Sequence, residues 1–132
     1  MKKIWHLSTI CIIALLLFSC KKDQLQIEEG SYKGTFTVTY NSGTHSGETI
    51  LELKNGRFSS TGNSNKIPAA ASGSYTIDKN TITFNDENPH TAEFDWGLIL
   101  DGQYKYTFDG YVLKLERIAE GIGKYSYNLK VQ

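Results

Sequence analysis

The fold is decided by the stretch 30–40, Gly30-Ser31-Tyr32-Lys33-Gly34-Thr35-Phe36-Thr37-Val38-Thr39-Tyr40. Its large apolar side chains occupy even-numbered positions, and lysine and threonine occupy the odd-numbered positions between them. A period of two places successive side chains on opposite faces of an extended chain. This stretch therefore predicts a long β-strand with one face buried and the other in water.

The same alternation continues to the C-terminus and is interrupted by turn-forming residues. Asn55-Gly56 predicts a tight hairpin because both residues tolerate a positive φ. Further turns are predicted at Asp78-Lys79-Asn80, Asp101-Gly102 and Asp109-Gly110. The strand-like segments between the turns are 49–53, 57–60, 73–77, 82–84, 94–100, 104–108, 111–115 and 125–131. Longer polar stretches, predicted as loops, are 41–47, 61–72 and 85–92.

About eight to nine strands with such short connections predict an all-β protein, arranged as an antiparallel up-and-down meander. Parallel neighbours would require long crossover connections, for which the sequence has no helical segment. An open meander of this size leaves strand edges exposed, and closure removes them. We therefore expect a small closed barrel, with a two-sheet β-sandwich as the alternative.

Length and composition exclude several classes of protein. The 132 residues suffice for one domain, and 14 basic against 14 acidic residues give a net charge of zero. A nucleic-acid-binding protein would carry an excess of Lys and Arg. The 39% hydrophobic and 12% aromatic content is too high for a disordered chain. We expect a folded domain that does not bind nucleic acid.

The N-terminal residues have the pattern of a secretory signal. Lys2 and Lys3 precede an apolar run, 10–18, that is shorter than the roughly 20 residues of a membrane-spanning helix. A retained transmembrane anchor is the alternative. The run ends in Leu17-Phe18-Ser19-Cys20, which resembles the lipobox of bacterial lipoproteins. That resemblance implies cleavage before Cys20, attachment of diacylglycerol to its thiol and acylation, for example with palmitate, of the new amino group.

This resemblance divides the chain into a signal peptide (1–19), a lipidated tether (20–29) and a domain (30–132). Removal of the signal leaves 12 basic and 14 acidic residues, a net charge of −2. Cys11 leaves with the signal and Cys20 carries lipid, so the core must stabilise the domain without a disulfide. Lys21-Lys22-Asp23 is similar to the export signal of Bacteroides-type lipoproteins, and a solvated linker is the alternative. The expected location is the bacterial cell envelope, at the outer membrane.

A second resemblance concerns the domain. Gly30-Ser31-Tyr32, Gly73-Ser74-Tyr75 and the strand Ile82-Thr83-Phe84 are similar to small lipocalin-like lipoprotein domains over residues 30–132. Tyr32 stands where the Gly-x-Trp of true lipocalins has its tryptophan. The resemblance implies a closed antiparallel barrel whose first strand begins at a glycine.

No motif for catalysis, a metal or a cofactor is present in the sequence. His45 and His90 stand alone in predicted loops, so we expect solvated histidines and no metal site. Nucleophile-elbow and phosphate-binding glycine motifs are absent. Glu93 and Asp95 share a face of a predicted strand near Asp101, at a spacing that suits a glycosidase pair, although the wet face of any strand carries such residues. We expect no catalytic residues, no enzymatic activity and no cofactor.

Aromatic residues are the remaining candidates for a binding site. An eight-stranded barrel encloses room for side chains or for one small ligand, and a buried tyrosine hydroxyl requires a partner. Inward aromatics can therefore form either the core or the wall of a pocket. The candidate ligand-binding residues are Tyr32, Tyr75, Trp96, Tyr104 and Tyr127. Trp96 is expected to be largely buried, with Phe94 and Leu98 on the same face.

The function predicted from these features is a membrane-anchored, non-enzymatic binding lipoprotein. Its partners would be the membrane, through lipid on Cys20, and a small amphipathic ligand at the barrel mouth. The alternative is a protein-interaction module, such as an inhibitor or accessory subunit, that acts through its loops, because binding residues concentrate in loops on a rigid scaffold.

Overall fold

The computed structural model describes residues 25–91 and 94–132. The predicted signal peptide, Cys20 and Glu93 therefore lie outside the described residues. The strands are β1 (Gly30–Tyr40), β2 (Gly43–Lys54), β3 (Arg57–Ser60), β4 (Ala71–Asp78), β5 (Thr81–Asp86), β6 (Gly102–Phe108), β7 (Val112–Arg117) and β8 (Lys124–Val131). A single turn of 3-10 helix, Trp96–Leu98, lies between β5 and β6.

The eight strands pair in sequence order and close into a barrel. Every pair is antiparallel, and β1 pairs with β2 on one side and with β8 on the other. This closure confirms the predicted all-β meander and excludes the alternative of a two-sheet sandwich. Because every strand has two neighbours, the sheet has no free edge.

The interior is filled by the inward side chains that the period of two identifies. Fully buried aromatic residues on neighbouring strands contact one another within it: the rings of Phe36 and Tyr127 are 4.8 Å apart, and those of Phe84 and Tyr104 are 5.7 Å apart. Aliphatic residues complete the core: Val38, Leu51, Leu53, Ile82, Leu113, Leu115 and Leu129. Apolar burial of this extent stabilises the barrel without a disulfide.

The two ends of the barrel differ in their connections. At the end where residue 25 enters, here called the entry end, short turns at 55–56, 79–80 and 109–111 join the strands. At the opposite end, here called the mouth, the connections include 61–70, 87–101 and 118–123. The Asn55-Gly56 hairpin is confirmed, since both residues have positive φ, at 52° and 72°.

Residues 25–29 pack against the entry end before β1 begins. The backbone N–H of Leu25 donates to the carbonyl of Phe108 at 3.2 Å, and Ile27 is only 7% exposed. The Tyr32 hydroxyl donates to the Glu28 carbonyl. These contacts hold the chain at the entry end for several residues ahead of the first strand.

Two predicted elements were wrong. The predicted loop 41–47 is mostly strand, because β1 and β2 stay paired as far as Tyr40 and Gly43 and only residues 41–42 turn. Its polar side chains are exposed because this hairpin extends beyond the core. The predicted strand 94–100 instead contains a capped turn of helix that ends at Leu98, and Leu98, Ile99 and Leu100 are buried consecutively rather than alternately.

Candidate functional site

A pocket of about 200 Å³ opens at the mouth, between the 87–101 connection and the ends of the strands. It is lined by Asp86, Asn88, His90, Trp96, Ile99, Asp101 and Arg117. Most of these residues are polar or charged, in contrast to the apolar interior beneath them. The pocket therefore brings together hydrogen-bond donors, acceptors and one large ring.

Strand alternation places two of the charged residues, Asp86 and Arg117, in this pocket. Asp86 continues the inward series of Ile82 and Phe84 on β5, and Arg117 continues that of Leu113 and Leu115 on β7. Both stand at the last position of their strands, where the closed interior gives way to the mouth. On both strands the inward residues are apolar except for the last one, at the mouth, which is charged.

The Asp86 carboxylate organises one wall of the pocket. Its side chain is 5% exposed, and Oδ2 lies 2.5 Å from Nε2 of His90, whose side chain is 11% exposed. Oδ1 accepts from the backbone N–H of Ser72 at 3.0 Å. Asp101 accepts from the Asp86 backbone N–H at 2.8 Å. A buried carboxylate with this many donors is held in one orientation.

Arg117 forms the other side of the pocket and has unused donors. Its Nε and Nη1 atoms are buried and have no hydrogen-bond partner within the described ranges. The guanidinium carbon lies 5.5 Å from the centre of the Tyr125 ring. Burial raises the pKa of Tyr104 to about 12, although the positive charge of Arg117 opposes that rise. Because arginine stays charged, its free donors favour an oxygen-bearing ligand.

Trp96 is 54% exposed, so the prediction that it is buried was wrong. Its ring lies nearly parallel to that of Phe94, at 16° and 6.4 Å between centroids, and the His90 ring meets both from the side. The Asp95 side chain caps the turn that begins at Trp96 by accepting from Gly97 N–H at 2.9 Å. This cap ends the strand-like alternation and turns Trp96 outward.

A wider groove of about 610 Å³ adjoins the pocket and shares Asn88 and His90 with it. The 61–70 connection forms its far side, where Lys66 places its ammonium group 4.8 Å from the centre of the Phe94 ring. The two long connections are joined by a hydrogen bond of 3.0 Å from Ala69 N–H to the Leu98 carbonyl. Pocket and groove therefore share one wall.

Asp95 fastens the 87–101 connection to the barrel rim. Its carboxylate accepts from the hydroxyl of Tyr40 at 2.5 Å and from that of Tyr125 at 2.8 Å. Gly97 permits this approach, because a Cβ there would fall 2.1 Å from Cζ of Tyr125. Two causes raise the pKa of Tyr125 to about 12: burial is the larger and the Asp95 carboxylate the smaller. The same two causes, in the same order, raise the pKa of Tyr40.

The structure does not bring the five sequence-predicted ligand residues together. Tyr32 lies at the entry end, bonded to Glu28, and Tyr75 is half-buried beside the Phe84 ring. Tyr104 and Tyr127 are buried in the core with their rings 6.0 Å apart. Trp96 is the one of the five that lines the mouth pocket.

Neither histidine matches its sequence-based description completely. His45 is exposed, as expected, but it lies on β2, with its ring 6.1 Å from that of Tyr40. His90 is not solvated, because Asp86 and the aromatic rings surround it. In residues 25–91 and 94–132, no three His, Cys, Asp or Glu side chains are grouped to hold a metal ion.

Sequence reasoning missed Asp86 and Arg117, although a signal was available. Counting in twos from Ile82 leads to Asp86, and counting in twos from Leu113 leads to Arg117. A charged residue in register with a buried face is costly unless it has a partner or lines a site. That His90 and Trp96 lie beside them could not be read from the sequence, because both stand in an irregular connection.

No family model, no curated protein and no solved structure matches this chain. No helix among the described residues is long and apolar enough to cross a membrane.

Proposed function

We propose that this protein is a lipid-anchored protein of the bacterial cell envelope that binds a small amphipathic ligand at the barrel mouth without transforming it. The anchor is inferred from the sequence that ends at Cys20. The binding role is inferred from the mouth pocket. The anchor and the binding role rest on different observations, and separate measurements test them.

The path of the chain supports an arrangement in which the anchor and the pocket lie at opposite ends. Leu25 is hydrogen-bonded to the entry end, and the five steps from residue 20 to residue 25 span at most about 18 Å. Lipid on Cys20 would therefore hold the entry end close to the membrane. The mouth would then face away from the membrane, toward a diffusing ligand.

The observation that carries the binding role is the pairing of an exposed ring with an arginine whose buried Nε and Nη1 atoms lack a hydrogen-bond partner among the described residues. Trp96 offers an apolar face, and Arg117 offers donors that no described residue uses. An amphipathic molecule can satisfy both at once, with its apolar part on the indole and its polar part in the pocket. Because aromatic and aliphatic side chains fill the described interior, the mouth is a better candidate than the barrel centre.

Native mass spectrometry of the full-length protein, extracted from the membranes of its source, tests both parts. The wild type should carry acyl mass and retain a small molecule. Cys20→Ser should lose the acyl mass, and Trp96→Ala should lose the small molecule. Tyr111→Ala is the matched control, since Tyr111 is also an exposed aromatic residue but lies at the entry end.

Two outcomes would contradict the proposal. A wild-type protein without acyl mass would refute the anchor, and one that neither retains a small molecule nor binds an added one in calorimetry would refute the ligand role. If the spectrum showed a bound protein instead, the second candidate, a protein-interaction module, would be favoured. That candidate rests on Ile122, which is 74% exposed in the 118–123 connection at the same mouth.

A further inference from the structure

We propose that the mouth pocket recognises a neutral sugar ring, with one face stacked on Trp96 and the hydroxyl groups directed at Arg117 and Asp101. This inference rests on the proposed ligand-binding function and names the chemical class of the ligand. It follows from the charges, the shape and the size of the pocket.

The mixture of charges disfavours a simple ion. Asp86 and Asp101 bring two carboxylates to the pocket, and Arg117 brings one guanidinium group. A ligand carboxylate or phosphate would lie close to the two carboxylates, and a ligand ammonium group would lie close to Arg117. A hydroxyl group donates to a carboxylate and accepts from a guanidinium group, so a polyhydroxylated molecule meets both without repulsion.

The aromatic pair provides the complementary apolar surface. The rings of Phe94 and Trp96 are stacked, with their planes inclined by 16° and their centroids 6.4 Å apart, and Trp96 remains 54% exposed beside the polar pocket. A pyranose has flat faces of C–H groups and an edge of hydroxyl groups. Stacked on Trp96, it would bury apolar surface while its edge points at the pocket lining.

The size of the site suits one ring, with room for extension. The pocket of about 200 Å³ is smaller than the roughly 300–1,000 Å³ typical of sites for drug-sized ligands. The adjoining groove of about 610 Å³ begins at the shared residues Asn88 and His90. A linked second sugar would lie in that groove, next to Phe94 and Lys66.

Isothermal titration calorimetry of the full-length protein, in a detergent without a sugar head group, tests the inference. The ligands are glucose, galactose, mannose and their disaccharides, with glucuronate and glucosamine as charged analogues. At least one neutral sugar should bind with a Kd of about 1 mM or tighter, as is reasonable for a ligand of this size. The charged analogue of that sugar should bind at least tenfold more weakly.

Variants locate the binding. Trp96→Ala should weaken it at least tenfold, Trp96→Phe should restore part of the affinity, and Tyr111→Ala should leave it unchanged. Arg117→Met should also weaken it at least tenfold, and Asp101→Asn provides an independent test if Arg117→Met does not fold. Binding that survives both Trp96→Ala and a change in the pocket would overturn the inference.

The outcomes separate this inference from the proposed function. If no neutral sugar binds but native mass spectrometry finds a small molecule that Trp96→Ala releases, the sugar inference is wrong and the binding function stands. If neither a sugar nor a retained molecule is found, both are wrong.

Discussion

At the entry end of the barrel, turns of two or three residues join the strands, and the chain before β1 is hydrogen-bonded to Phe108 at the end of β6. At the mouth, the 61–70 and 87–101 connections rise above the strands and are joined to each other through Ala69 and Leu98. The inward positions change along the same axis, from apolar side chains to Asp86 and Arg117. The apolar core and the polar candidate site thus occupy different regions of one sheet.

This difference shows how a small barrel can hold a polar site. The packed interior fixes the strand ends, and the strand ends fix the directions in which Asp86 and Arg117 point. The 87–101 connection then adds His90, Trp96 and Asp101 around them. Loops on a rigid scaffold are where binding residues concentrate, and here two of the site residues belong to the scaffold itself.

The largest expected effect is a difference in stability between a substitution in the interior and a substitution at the mouth. Phe36 is fully buried against Tyr127, so Phe36→Ala should lower the free energy of unfolding by about 3–5 kcal/mol. Trp96→Ala should lower it by about 1 kcal/mol or less, because that ring is largely exposed. Urea denaturation of both variants measures the difference. Equal losses would show that Trp96 belongs to the core and that the two regions are not distinct.

The second prediction concerns the stability of the protein at alkaline pH and the hydrogen bond between Tyr125 and Asp95 at the mouth. Burial and Asp95 raise the pKa of Tyr125 to about 12 in the folded protein, above its ordinary value of 10. The folded state therefore keeps a proton that the unfolded state loses, so stability falls as pH rises from 10 toward 12. Each such tyrosine contributes a slope of about 1.4 kcal/mol per pH unit.

Tyr125→Phe removes one of these protons and should make the fall between pH 10 and pH 12 less steep by about that amount. Thermal unfolding at a series of pH values, with both proteins normalised to pH 7, measures the slopes. Identical slopes would show that burial and Asp95 do not raise the pKa of Tyr125 in the folded state.

The smallest expected effect compares an aspartate at each end. Asp95→Asn replaces a charged acceptor of two phenol groups, so it should cost about 1 kcal/mol and speed amide hydrogen exchange in residues 96–100. Asp109→Asn is the matched control at the entry end, where the side chain accepts from Tyr111 and Val112 N–H groups. Asparagine forms the same turn, so this control should change little. Faster exchange at both ends, or at neither, would contradict the proposed difference.

Sequence reasoning was most successful where local chemistry decides the structure. The alternation in 30–40 predicted β1, and Asn55-Gly56 predicted the hairpin between β2 and β3. Both predictions succeeded because a period of two and a positive φ are local properties. It was wrong about Trp96, where Phe94, Trp96, Leu98 and Leu100 imitate a strand. The outcome there depends on Asp95, whose tyrosine partners on β1 and β8 are distant in sequence.

The sequence by itself determined most of the strands, the tight turns and, through the absence of crossover connections, the antiparallel meander. Along those strands it also determined which side chains share a face, since strand geometry leaves only two faces. Asp86 and Arg117 continue the inward series, although sequence reasoning missed them. Only the tertiary structure decided that these two charges meet His90, Trp96 and Asp101 in one pocket. The physical reason is that barrel closure and the packing of the 87–101 connection set distances between residues far apart in the chain, and periodicity carries no information about those distances.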